Sequence, residues 1–199
     1  MKWASELKNM ICRNDVPHQF VQRKQVARKM KNYDEAFNTY FAKQSKKYGC
    51  QFDSLDEEEV SIIKKKYAEL LPIFQSPDNN LGQMVFREMM KSGKFSHYFS
   101  SDKFTPDYTD VHGSAINSSL IKTIESLEDH PALMKIRSGL ENTHHELMIK
   151  TDDFDTFMTI FFDVLKNQAK ASLFDEEVVA WEKLLLFVYN CFRKKIYGP

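Results

Sequence analysis

Apolar residues recur along most of this chain at the three- and four-residue intervals of an amphipathic helix. Residues 15–49 show this pattern first. Their apolar positions are Phe20, Val26, Ala27, Met30, Phe37, Tyr40 and Phe41. The spacing predicts one long helix, or two helices with a break near Asn32.

A second apolar-periodic run follows residue 54. It passes through Val60, Ile63, Tyr67 and Leu70. The stretch S-L-D-E predicts a capping box at its start, in which the Ser54 oxygen accepts from an orphan amide and Glu57 bonds back. We therefore expect a new domain here, so that residues 1–52 form a helical N-terminal extension and residues 53–199 form the main domain.

Five further helices are predicted along the rest of the chain. Four of them cover about residues 80–90, 106–127, 132–145 and 175–195. Another begins after a cap at Thr151 or Asp152. Thr105 supplies the N-cap and Pro106 the first position of the 106–127 helix. The chain has sixteen Phe against six Gly and six Pro, which favours long helices over many short strands and predicts an all-α fold.

The three cysteines, Cys12, Cys50 and Cys191, are odd in number and widely spaced. This usage favours a reducing compartment over a disulfide framework. The start of the chain has no apolar run typical of a signal peptide, and no stretch has the apolar length of a membrane span. We expect a cytoplasmic protein without a transmembrane segment.

A net charge of zero conceals a division of charge along the chain. Residues 1–50 contain eleven Lys or Arg but four Asp or Glu, so the remainder is acidic. The basic extension could dock on the acidic domain, reach an acidic protein partner or touch a membrane surface. It could equally be a solvated helix with no specific partner. We do not expect a nucleic-acid ligand.

Two histidines share helix faces with apolar residues. His112 is followed at four-residue intervals by Ile116, Leu120 and Ile124, which drift by only about 40° per step. His144 has Leu140 one turn before it, whereas His145 points about 100° away. For either histidine alone, a core residue with a satisfied hydrogen bond is the common explanation.

Known catalytic motifs are absent from the sequence. A zinc-protease motif starting at His145 would need a histidine at position 149, but that residue is Ile149. No nucleophile motif and no glycine-rich phosphate loop accompany the histidines, so we predict no catalytic residues and no enzyme.

Two stretches resemble the globin family. H-G-S-A-I-N-S-S-L from His112 resembles the helix of the distal histidine, and S-G-L-E-N-T-H-H-E-L-M-I-K-T-D-D-F resembles the proximal helix and the corner after it. In the family pattern a leucine precedes the iron ligand by four residues, an aliphatic residue follows by five or six, and an aromatic residue by ten or eleven. Leu140, Ile149 and Phe154 meet this pattern around His144, and His112 lies 32 residues before it.

This resemblance implies a three-over-three helical globin fold that binds haem b. It makes His144 the proximal iron ligand and His112 the distal residue. The other implied haem contacts are Phe99 (with Phe95 as a substitute), Ile116, Leu140, Ile149 and Phe154. Val85 or Phe86 is expected to face the distal ligand. Only 13 residues separate Phe99 from His112, which implies that a small helix usual in the family is missing. Because of the basic extension, the chain resembles nematode neuronal globins.

Two mechanisms follow from the resemblance. His112 could stabilise a gas bound to five-coordinate iron, or it could itself bind the iron and give a bis-histidine centre. We favour the second, which suits oxygen or redox sensing or electron transfer better than bulk storage. Its partners would be a diatomic gas or an electron-transfer partner, with the basic extension relaying the state to a protein. A haem-free helical interaction module is the alternative from another class.

Overall fold

The computed structural model describes residues 16–49, 55–99, 106–144 and 147–192. Within these ranges the protein has seven α-helices and no strand, which confirms the all-α prediction. By their contacts the residues form two units, 1–41 and 42–199. The boundary predicted at residue 52 falls outside the described residues.

The helices follow the predicted order. They are α1 (Val16–Tyr48), α2 (Glu57–Phe74), α3 (Leu81–Lys91), α4 (Pro106–Glu125), α5 (His130–His144), α6 (Thr151–Asp163) and α7 (Asp175–Asn190). A 3₁₀ turn, Ser96–Tyr98, follows α3, and a π-helical turn, Val164–Gln168, continues α6. Of the two possibilities for the first segment, one long helix is observed. It ends at Tyr48, and the next residue, Gly49, has a φ of +68°, which suits glycine.

The start of α2 corrects the predicted cap. The N-cap is Asp56, whose carboxylate accepts from the Glu59 amide at 2.8 Å while Glu59 accepts from the Asp56 amide at 3.1 Å. The proposed box of Ser54 and Glu57 was therefore wrong, and Ser54 itself lies outside the described residues. The stretches S-L-D-E at 54–57 and D-E-E-E at 56–59 both have the spacing of a capping box. The second places three glutamates in the first turn of α2, where the helix dipole favours negative charge.

The start of α6 also differs from the prediction. Its N-cap is Lys150, which makes no side-chain cap bond, so neither Thr151 nor Asp152 has the predicted role. The Lys150 amide instead donates to the Tyr98 hydroxyl at 2.9 Å. A contact with a residue distant in sequence thus replaces the local cap.

The N-terminal unit is described from residue 16 to residue 41. Phe37 is buried, and its ring lies 5.8 Å from that of Tyr33 and 4.6 Å from that of Phe41. Residues 28–32 are exposed and include Arg28, Lys29 and Lys31. The basic character seen in the sequence is therefore displayed to solvent on this stretch.

The larger unit has two layers of three helices. In one layer α2 contacts α4 and α4 contacts α5; in the other α3 contacts α6 and α6 contacts α7. The layers meet where α3 crosses α4 and where α2 packs on α7. The buried residue Asn117 of α4 strengthens one junction, because its side chain donates to the Phe74 carbonyl at 2.8 Å and accepts from the Gly82 amide at 3.3 Å. This is the predicted three-over-three arrangement.

A buried ion pair joins α2 to α7. Lys66 Nζ lies 3.0 Å from a Glu177 carboxylate oxygen, and it also donates to Glu69 and to the Ser172 carbonyl. Burial alone would lower the pKa of Lys66, but the bonds to Glu69 and Glu177 outweigh it and raise that pKa. Removing Lys66 would leave the buried Glu177 carboxylate without its cationic partner, so the pair favours one arrangement of the two helices.

Candidate functional site

His112 is positioned by a close crossing of α3 and α4. A Cβ atom on Gly82 would lie 2.2 Å from the Gly113 carbonyl oxygen, and one on Gly113 would lie 2.5 Å from the Gln83 Cα. The two backbones are thus in direct contact, which only glycine permits. Because His112 is the neighbour of Gly113, this crossing sets the direction in which its side chain leaves α4.

Three aromatic rings surround the His112 imidazole. Ring centroids lie 4.5 Å away for Phe86, 5.4 Å for Phe99 and 5.7 Å for Tyr108. The sequence predicted that Val85 or Phe86 of α3 would face the distal ligand. Both side chains are buried, and the Phe86 ring contacts His112. The sequence interpretation missed Tyr108, although its place one turn before His112 on the same helix was a usable signal.

His144 is held in one tautomer at the end of α5. Its Nδ1 lies 3.0 Å from the Leu140 carbonyl oxygen, an arrangement in which Nδ1–H donates and Nε2 keeps its lone pair. Burial lowers the pKa of His144, and the bond to Leu140 only partly opposes this effect. Burial thus favours a neutral imidazole, and the bond leaves its Nε2 lone pair free, which is the form that binds a metal ion.

A ring that the sequence interpretation did not include lies against His144. The Phe192 ring is nearly parallel to the imidazole, with an interplanar angle of 9° and centroids 4.1 Å apart. Phe192 follows α7 and is 48 residues from His144, so no local pattern could pair them. His145 and Glu146 lie outside the described residues.

Ile149 and Phe154 are brought together by Tyr189 of α7. The Tyr189 hydroxyl donates to the Ile149 carbonyl at 2.7 Å, and its ring stacks on Phe154 at 4.0 Å. Met148 just before has a φ of +45°, which is a strained conformation for a residue with a side chain. Ile149 and Phe154 are therefore held by tertiary contacts with α7.

The apolar face of α5 is incompletely covered by protein. None of its fifteen residues is buried, although Leu133, Ile136 and Leu140 share one face with His144. Ile116 on the adjacent helix α4 is also only half-buried. Because these apolar side chains of α5 are not buried by the protein, an apolar ligand could cover them. A flat apolar cofactor that also offers a ligand position to a neutral histidine fits these residues.

Six of the seven predicted haem contacts thus fall into three groups, and the seventh, Ile116, is half-buried on α4. Phe99 and His112 lie in one aromatic cluster, Leu140 and His144 share a hydrogen bond, and Ile149 and Phe154 meet at Tyr189. Among the described residues no group of three or more His, Cys, Asp or Glu side chains could hold a metal ion.

A family model for globins matches residues 87–190, slightly more than half of the chain. The chain belongs to the globin family. The match begins within α3 and ends with α7, so it includes both histidines and helices α4 to α7. No curated protein matches the chain. The globin fold and the haem b cofactor predicted from the sequence are confirmed by this membership.

Two predictions about this globin concern other parts of the chain. The missing small helix was placed between Phe99 and His112, and residues 100–105 of that interval lie outside the described residues. The other prediction is that the chain has no transmembrane segment. None of the described helices is both long and apolar enough to cross a bilayer.

Proposed function

We propose that this globin is a bis-histidine haem protein, with His144 as the proximal ligand and His112 as the sixth ligand, that acts in oxygen or redox sensing or in electron transfer. Haem b supplies an iron that changes oxidation state and binds diatomic gases. The observation that carries the proposal is the pair of restrained imidazoles, one held by Leu140 and the other enclosed by aromatic rings.

The proximal assignment rests on the environment of His144. The hydrogen bond to Leu140 fixes the tautomer with Nε2 available and raises the basicity of that nitrogen. Leu133, Ile136 and Leu140 on the same face would contact the cofactor. His145 has no such support from the sequence, because its position four residues earlier is Glu141.

The distal assignment rests on the cluster around His112. Its aromatic neighbours Phe86 and Phe99 have no hydrogen-bonding side-chain atoms that could orient a bound gas. The imidazole would be the group that binds the iron on this side, and it would have to withdraw before a gas could enter. Such gating makes the response depend on the fraction of molecules with an open position, as in a sensor.

A five-coordinate oxygen-binding globin is the second candidate. The Tyr108 ring stacks on His112 with an interplanar angle of 21° and adds a hydroxyl to this side. If the stack held His112 away from the iron, His112 would act as a hydrogen-bond donor to the gas. The state of the iron without added ligand distinguishes the two candidates.

Replacing His112 by alanine tests the sixth ligand. We expect the reduced variant to lose the split α and β bands of a bis-histidine haem and to bind carbon monoxide without a preceding dissociation step. His130→Ala is the matched control, because His130 is exposed and lies at the far end of α5. The measurements are the visible spectrum and stopped-flow gas binding. Split bands that persist in His112→Ala would rule out His112 as the ligand.

The basic N-terminal segment is part of the proposal as a relay to a protein with an acidic surface. Arg28, Lys29 and Lys31 are exposed and would supply the contact. We expect their joint replacement by glutamine in the full-length chain to abolish co-purification of such a partner. Replacing three exposed lysines of the globin unit, Lys65, Lys122 and Lys135, is the control. Equal recovery of the partner with both variants would refute the relay.

A further inference from the structure

The 3₁₀ turn between α3 and Phe99 is bonded to the start of α6. The Tyr98 hydroxyl donates to an Asp153 carboxylate oxygen at 2.7 Å and accepts from the Lys150 amide at 2.9 Å. His97 Nε2 lies 3.4 Å from the same Asp153 oxygen. Two consecutive residues of the turn thus converge on one carboxylate of α6.

These bonds have a structural reason on the α6 side. The amide of an N-cap residue is one of the groups that an α-helix cannot satisfy internally. Lys150 has no side-chain cap bond of its own, and the Tyr98 hydroxyl serves this amide. The bond from Tyr98 to Asp153 has an ionised acceptor, which makes it stronger than a bond between neutral groups. Tyr98 therefore satisfies a backbone group and a charged group together.

The two ends of this connection lead to the two histidines. On one side Phe99 is the residue after Tyr98, and its ring lies 5.5 Å from that of Phe86 and 5.4 Å from that of His112. On the other side Lys150 is six residues after His144. Between them, Met148 holds its strained backbone, which persists only where the surroundings enforce it.

We propose that Tyr98 is a positioning residue that couples the aromatic cluster of His112 to the segment leaving His144. By holding the turn on α6, Tyr98 keeps Phe99 against the His112 ring and thereby favours the closed, bis-histidine state; this inference rests on the function proposed above. Without the Tyr98 hydroxyl, Phe99 and the 147–150 segment gain freedom. The fraction of molecules in which His112 has withdrawn then rises.

Hydrogen exchange of the full-length protein tests the connection itself. We expect Tyr98→Phe to increase the exchange rate of the Lys150 amide on the order of tenfold, since that amide loses its acceptor. Tyr67→Phe is the matched control, because it also removes a hydroxyl bonded to a carboxylate, that of Glu125. An unchanged Lys150 amide in Tyr98→Phe would overturn the proposal.

Gas binding to the reduced, haem-loaded protein tests the coupling. We expect Tyr98→Phe and Asp153→Asn each to raise the rate at which His112 leaves the iron by several-fold to about tenfold. The double variant should exceed Tyr98→Phe by little, since Tyr98→Phe already removes the bond to Asp153. Asp152→Asn, at an exposed neighbouring position, is expected to behave as wild type.

The outcomes separate this inference from the function on which it rests. A six-coordinate wild type whose dissociation rate is the same in Tyr98→Phe would overturn the coupling alone. A five-coordinate wild type would overturn the bis-histidine proposal and the coupling together, whatever the Lys150 amide does. A loss of folding in Tyr98→Phe would appear in its far-UV circular dichroism, and the gas-binding rate of Asp153→Asn then tests the coupling.

Discussion

Replacing His144 by glycine is expected to abolish stable haem binding. The substitution removes the proposed iron ligand and its bond to the Leu140 carbonyl, and it leaves a space shaped like an imidazole. Loss of an outer-shell partner of a metal ligand already costs about 10- to 100-fold in affinity, so loss of the ligand itself should cost more. Gel filtration followed by a visible spectrum would show that the variant retains far less haem than wild type.

Free imidazole makes this test specific. Added imidazole can occupy the space in His144→Gly and is expected to restore both haem retention and the six-coordinate spectrum. His145→Gly is the matched control, since it removes the adjacent histidine and should retain haem. If His145→Gly lost its haem while His144→Gly kept it, the register of the proximal helix would be wrong by one residue.

Replacing Gly82 by alanine is expected to lower the free energy of unfolding substantially. The added methyl group would lie 2.2 Å from the Gly113 carbonyl oxygen and 2.5 Å from the Asn117 nitrogen, both of them backbone atoms that cannot move aside singly. Helices α3 and α4 must then separate, at a cost of about 3 kcal/mol or more. Because folded domains are stable by only about 5–15 kcal/mol, this is a large fraction of the total.

A second glycine provides the control for this substitution. Gly139 lies in α5, is exposed, and has no atom within 4 Å of the position of an added Cβ. Gly139→Ala should therefore stabilise the protein by about 0.5–1 kcal/mol, through higher helix propensity. Urea unfolding of the three proteins in the same haem state measures both changes. A Gly82→Ala variant as stable as wild type would contradict the direct backbone contact.

Much of the fold could be predicted from local patterns. The helices expected at 80–90 and 106–127 were found at Leu81–Lys91 and Pro106–Glu125, because apolar spacing determines which residues can form one buried face. The caps of α2 and α6 were predicted less well. At α2 two capping boxes overlap, and at α6 the amide is satisfied by Tyr98, which is 52 residues away.

Only those parts of the candidate site that depend on local sequence spacing could be predicted. The relation of Leu140 to His144 is one helical turn, so sequence spacing was enough to suggest it. The stack of Phe192 on His144 and the bond of Tyr98 to Asp153 join residues on different helices or turns. Such contacts depend on how the helices are arranged, and no single-sequence pattern encodes them. The proximity of Gly82 to Gly113 likewise became evident only when α3 and α4 were seen to cross.

We expect His112 and His144 to bind one haem iron. The visible spectrum of the purified, reduced protein without added ligand is the test of this bis-histidine centre. We predict a Soret band together with sharp, split α and β bands, the signature of a six-coordinate low-spin centre. A single broad band in place of the split pair would contradict the bis-histidine centre, and a protein that stays colourless after addition of haemin would contradict haem binding altogether.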